Sequence, residues 1–113
     1  MKYFILFLFL YLLIGYTNAQ EKKVMTSIIN TSAECNSCKV RLEEKLNHIS
    51  GIRFAELNLK SKELKVRYIS KKISLNKIRN IISQVGYNAD DILANPNSVK
   101  RLPDCCKPGG MNK

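Results

Sequence analysis

What this sequence lacks narrows it first. It has no apolar run long enough for an ordinary membrane span: the longest, Phe4–Gly15, falls short of the roughly 20 residues a spanning helix needs. No cysteine stands just after that run, so a lipid-attached form is not indicated. There is no internal repeat and no low-complexity tract, and 113 residues make one small domain. Acidic residues are scarce, 9 against 19 lysines and arginines, for a formal charge of +10. Histidine is reduced to His48, which falls late in a helical stretch and reads as a surface residue.

The short apolar run has another meaning. Met1–Tyr3 carries one lysine, Phe4–Gly15 is unbroken, and "YTNAQ" then offers Ala19 at a cleavage position with Thr17 two places before it. A basic start, an apolar middle and a small-residue exit predict a signal peptide over residues 1–19, cleaved after Ala19, and a periplasmic or secreted product. An uncleaved N-terminal anchor is the alternative, and the leader is then the only membrane attachment. Cleavage removes Lys2 and no acid, leaving 18 basic residues against 9 acidic and a charge of about +9. Such a balance can signal nucleic acid or an anionic surface. Here the lysines are scattered from Lys22 to Lys77, mostly at positions expected to face solvent, and export argues against nucleic acid. The charge reads as a solvated surface that can steer docking to an acidic partner.

After the leader, "VMTSIINT" (Val24–Thr31) is rich in β-branched residues and predicts a strand. Cys38, Leu42, Leu46 and Ile49 recur at helical steps, and Ser50-Gly51 is expected to end that helix. Ala55, Leu57 and Leu59, then Leu64, Val66 and Tyr68, alternate on either side of the polar "KSKE", which predicts a hairpin. Ser74 suits a helix N-cap, and Leu75, Ile78, Ile81, Ile82 and Val85 form a second apolar stripe that stops at Gly86. "YNADDILA" is expected to supply a last strand, and Asn95-Pro96 to cap a short helix ended by Pro103. The order is βαββαβ. A four-stranded antiparallel sheet with both helices on one face buries both stripes, which makes the fold class α+β and ferredoxin-like.

The chemistry lies in the cysteines. "SAECNSCKV" puts Cys35 in the loop after the first strand and Cys38 in the first turn of the helix. A helix start presents unpaired N–H groups and partial positive charge, so thiolate is favoured there and both pKa values are expected to fall. Two exposed soft thiolates suit Cu(I), while Zn(II) wants further ligands. CxxC at a helix start is also a redox motif, and a plain disulfide is a third reading. Against the redox reading, a thioredoxin-like fold needs more elements in another order, and no aromatic residue precedes Cys35.

The residues around the cysteines extend the pattern. Leu42-Glu43, Leu46, Gly51-Ile52, "AELNL", "LKVRY" and "ISQVGY" follow at consistent spacing, and with them Val24–Ala89 resembles a heavy-metal-associated domain. That is the module of copper chaperones, metal-pump N-termini and periplasmic mercury-scavenging proteins. The resemblance implies a ferredoxin-like fold, metal on Cys35 and Cys38, no catalysis, and transfer by ligand exchange to a metal transporter or another metal-binding domain. It also places Tyr87 near the metal loop, to cover the site, to hydrogen-bond near a sulfur, or simply to pack. The sequence departs from the family at Ala33, where methionine is usual, so a looser loop is expected. Glu34, beside Cys35, either helps to hold Zn(II) or Cd(II) or is merely solvated.

Cys105-Cys106 lies outside the resemblance. Adjacent cysteines rarely bond to each other without strain, so these two are candidates for a bridge elsewhere, a second metal site, or a site shared with Cys35 and Cys38. The chain divides into a leader (1–19), a heavy-metal-associated domain (20–94) and a short helix with a Cys-Cys tail (95–113). The reading is an exported, monomeric carrier or scavenger of a soft cation, Cu(I) first with Hg(II) or Zn(II) as alternatives. An extracytoplasmic thiol–disulfide oxidoreductase using the same CxxC is the runner-up.

Overall fold

The computed structural model describes residues 1–14 and 23–108, so the expected cleavage position at Ala19 lies outside the described residues. At the N-terminal end, α1 (Lys2–Ile14) is helical and exposed through Leu12. No helix among the described residues is long and apolar enough to cross a membrane. The body then runs β1 (Val24–Asn30), α2 (Asn36–Asn47), β2 (Ile52–Asn58), β3 (Glu63–Ile69), α3 (Leu75–Val85) and α4 (Pro96–Arg101), and ends in a 3₁₀ turn, Asp104–Cys106.

The strands form an antiparallel sheet in the order β1-β3-β2, with Leu64 of β3 opposite both Ile29 and Leu57. Alternation puts Leu64, Val66, Ala55, Leu57 and Ile29 on the covered face, where they are buried. Cys38, Leu42 and Leu46 of α2 and Ile78 and Ile82 of α3 close the core over them. Leu75, Ile81 and Val85 pack at its margin, half-buried. This is the α+β arrangement expected from the two stripes and the hairpin.

Polar side chains of α2 tie it to the edge strand β2. Glu43 accepts from the backbone N–H of Leu57, and Lys39 donates to the Leu57 carbonyl. Asn47 accepts from the Ala55 N–H and donates to the Ala55 carbonyl. With Asn47 engaged in this way, the helix ends there and His48 is its C-cap, three residues before Gly51. Gly51 instead forms the turn into β2 at φ +96, where a Cβ would meet Ile73 and Lys72 at 3.0 Å. At the start of α3, the Ser74 hydroxyl accepts from the Lys77 N–H, as expected of an N-cap.

The expected fourth strand is a correction. Among the described residues the sheet has three strands, and "YNADDILA" contributes only single bridges, Thr31 with Ala89 and Ala89 with Ile92. Polar side chains take the backbone instead. Asn88 accepts from the Ala94 N–H, and Asp90, at φ +51, accepts from the Asn30 N–H and pairs with Arg79. The chain therefore leaves the sheet edge early. Ser83 accepts from the Asn95 N–H through its carbonyl and donates to the Leu93 carbonyl through its hydroxyl, which turns the chain back along α3 into α4.

Candidate metal centre

Cys35 is the N-cap of α2: its sulfur accepts from the Cys38 N–H at 3.3 Å, the role a serine or aspartate oxygen fills at other helix starts. Cys38 is the third helical residue and is buried, while Cys35 is half-buried. The spacing of three turns both sulfurs to one point, 2.7 Å apart. No disulfide joins Cys35, Cys38, Cys105 or Cys106 in this structure.

The tail reaches the same point. Asn95 caps α4 through its side chain, and Pro96 opens it. Leu102 then lies buried over Gly86, the C-cap of α3 at φ +123. A Cβ on Gly86 would come within 2.9 Å of the Leu102 side chain, so only glycine allows this seat. From Pro103 the 3₁₀ turn carries Cys106 into the core, with its sulfur 4.0 Å from that of Cys35. The sulfurs of Cys35, Cys38 and Cys106 all lie within 4.8 Å of one another. Cys105 stays exposed and outside this group. Its sulfur is 3.8 Å from that of Cys106, and its carbonyl accepts from the Cys35 thiol at 3.5 Å.

The remaining site residues fall differently from one another. Tyr87 is fully buried, and its hydroxyl finds no partner of hydrogen-bonding geometry. It nevertheless lies close enough to Cys38 and Cys106 to favour their thiolates, and burial raises its own pKa far above the usual value. Glu34 pairs with Lys62, a residue at φ 61 in the β2–β3 turn. It is neither a simple solvated glutamate nor part of the sulfur group. Ala33 is buried in the core and its N–H donates to the Thr31 hydroxyl. His48 is exposed, with Nδ1 2.6 Å from the Glu44 carbonyl, at the far end of α2.

The expected fall of both cysteine pKa values holds for one. Burial pushes Cys38 up, but the neighbouring Cys35 thiol and the nearby Tyr87 hydroxyl outweigh it and hold Cys38 below the ordinary value. Cys35 moves up, through burial and through its hydrogen bond to Cys38. Cys106, buried and beside the Cys38 sulfur, is pushed up to about 12. The group therefore combines one thiol whose deprotonation is favoured with two that a soft cation has to deprotonate on binding.

Sequence reasoning missed two positions. Lys62 takes up Glu34, and the turn conformation that aims it leaves no sequence signal in a lysine. Leu102 seats the tail, and its signal was visible: a lone leucine before proline in an otherwise polar end.

A sequence profile of the "Heavy-metal-associated domain" matches residues 32–88, and the chain belongs to that family. The copper chaperone CopZ of Staphylococcus aureus (strain bovine RF122 / ET3-1) is 33% identical over 54 residues, which cover 48% of this chain and 79% of CopZ. Two solved structures share the fold. The Cu(I)-loaded N-terminal domain of a potential copper-translocating P-type ATPase from Bacillus subtilis aligns with a TM-score of 0.57 at 23% identity, covering 60% of this chain and 86% of that one. Oxidized MerP from Ralstonia metallidurans aligns with a TM-score of 0.57 at 14% identity, covering 60% of this chain and 96% of that one.

Proposed function

We propose that this chain is an exported carrier of a soft metal ion, with Cu(I) as its first cargo and Hg(II) or Zn(II) as alternatives, held by the thiolates of Cys35 and Cys38. The observation that carries the reading is the pair itself: two free sulfurs 2.7 Å apart at the N-terminus of α2, in a chain of the heavy-metal-associated family. Soft thiolates prefer a soft ion, and the helix start favours the charge they carry when bound. CopZ, named a copper chaperone, supports copper as the cargo. The N-terminal domain of a potential copper-translocating ATPase supports transfer to another metal-binding domain or to a transporter.

The mechanism is ligand exchange. Cys38 gives up its proton more readily than Cys35, and both lose theirs to solvent as the ion arrives. A partner's thiolate then displaces one sulfur at a time, and the carrier catalyses no covalent chemistry. The leader and the basic surface complete the reading as export in monomeric form and docking to an acidic partner, with no role for nucleic acid.

The test is anaerobic purification of the exported chain, determination of its N-terminus, elemental analysis, and competition among Cu(I), Zn(II) and Hg(II). The expected result is a chain beginning at Gln20 with one Cu(I) bound. A reduced protein with no bound metal and no affinity for any of the three overturns the proposal.

A further inference from the structure

We propose that Cys106, and not its neighbour Cys105, is a third metal ligand, so that the tail converts the two-thiolate site into a three-sulfur one. This rests on the carrier reading above and specifies its coordination.

Four observations converge on it. The Cys106 sulfur lies with those of Cys35 and Cys38 in a group spanning no more than 4.8 Å. The separations suit a three-coordinate ion: with metal–sulfur bonds of about 2.3 Å, the sulfurs of a planar trigonal centre stand about 4 Å apart, and those of a linear one about 4.6 Å. Cys35 and Cys106 are already 4.0 Å apart. Cys35 and Cys38, at 2.7 Å, have to open by a little over an ångström for a trigonal centre and by nearly two for a linear one, and Cys35 is half-buried in its loop.

The tail is also built to deliver this sulfur. A buried leucine over a glycine, a capped helix and a 3₁₀ turn fix the approach of Cys106. Finally, the fully buried Tyr87 hydroxyl has no hydrogen-bond partner of its own and lies beside Cys38 and Cys106. A lone buried cysteine packs like a small apolar residue. Three sulfurs beside an unsatisfied buried hydroxyl form a polar pocket, and a thiolate there gives that hydroxyl an acceptor.

A three-sulfur site changes which ions are held. Cu(I) and Hg(II) accept three thiolates, while Zn(II) still requires a fourth donor. The additional sulfur also slows release, because transfer to a partner requires the tail to let go as well as the loop.

The test uses the full chain, reduced and oxygen-free, as wild type and as Cys105→Ser, Cys106→Ser and Leu102→Ala. Cu(I) is titrated against a chromophoric chelator, and the number of sulfur neighbours is read by X-ray absorption. Three sulfurs are expected in the wild type and in Cys105→Ser. Two sulfurs, with affinity lowered about tenfold or more, are expected in Cys106→Ser. Leu102→Ala keeps every thiol but unseats the tail, and it should resemble Cys106→Ser. Circular dichroism confirms that each variant is folded. Two sulfurs in the wild type, or a Cys106→Ser variant that still shows three, overturns the third ligand and leaves the carrier reading standing. A wild type that binds no Cu(I) ends the carrier reading and the third ligand with it.

Discussion

The two cysteine pairs are held by opposite means. Cys35 and Cys38 are positioned locally: one caps a helix, the other lies in its first turn, and three residues of regular backbone fix their relation. Cys105 and Cys106 sit on a single 3₁₀ turn whose position depends on contacts far along the chain, above all Leu102 on Gly86. The first pair turns both members toward one point. The second divides, with Cys106 buried and Cys105 exposed, because consecutive residues on a tight turn face different ways. A CxxC is thus close to a complete instruction, whereas a CC acquires its meaning only from tertiary packing.

The contrast can be broken at its support. Gly86→Ala is expected to have the largest effect, because it combines an unfavourable positive φ with a collision against Leu102. Loss of about 2–3 kcal/mol of stability in urea denaturation is expected. In the apo, reduced protein, alkylation followed by mass spectrometry should then find Cys106 nearly as reactive as Cys105. Next comes Leu102→Ala, which removes a buried side chain at the edge of the core and should cost about 2 kcal/mol. It exposes Cys106 to the same reagent, while the buried Cys38 stays protected from it.

A smaller effect is expected from Asn95→Ala, which deletes the α4 cap at a cost of about 1 kcal/mol. Faster exchange of the backbone amides at Asn97 and Ser98, with the body unaffected, is the readout. The smallest belongs to Lys62→Ala. Its pair with Glu34 is partly exposed, and its removal should change stability by less than about 0.5 kcal/mol. Metal preference should also stay as it was, since Glu34 lies outside the sulfur group. A switch of preference toward Zn(II) in that variant would show the Glu34 carboxylate acting as a ligand.

Legibility in the sequence follows the same division. The hairpin, both helix stripes, the Ser74 cap and the CxxC at a helix start were readable, because each is set by residues within one or two turns of one another. The fourth strand was not. "YNADDILA" has enough apolar content for a strand, but Asn88 and Asp90 bind backbone groups, and Asp90 adopts a left-handed conformation that propensity disfavours without forbidding. The split of Cys105 from Cys106 was equally hidden, since it depends on how Leu102 meets Gly86 across the end of α3. The departure at Ala33 is visible in the sequence, but that the small residue is itself fully buried in the core is not.

The stitching of α2 onto β2 has a consequence for the crowded state. An outer strand normally presents a row of unfilled N–H and C=O groups, a template on which a second chain can add itself. Along β2 those groups belong to Ala55 and Leu57, and Lys39, Glu43 and Asn47 already occupy them. The helix that carries Cys38 therefore also closes this flank against strand-on-strand growth. Substitutions at Glu43 or Asn47, remote from every sulfur, should show themselves first as aggregation at high concentration.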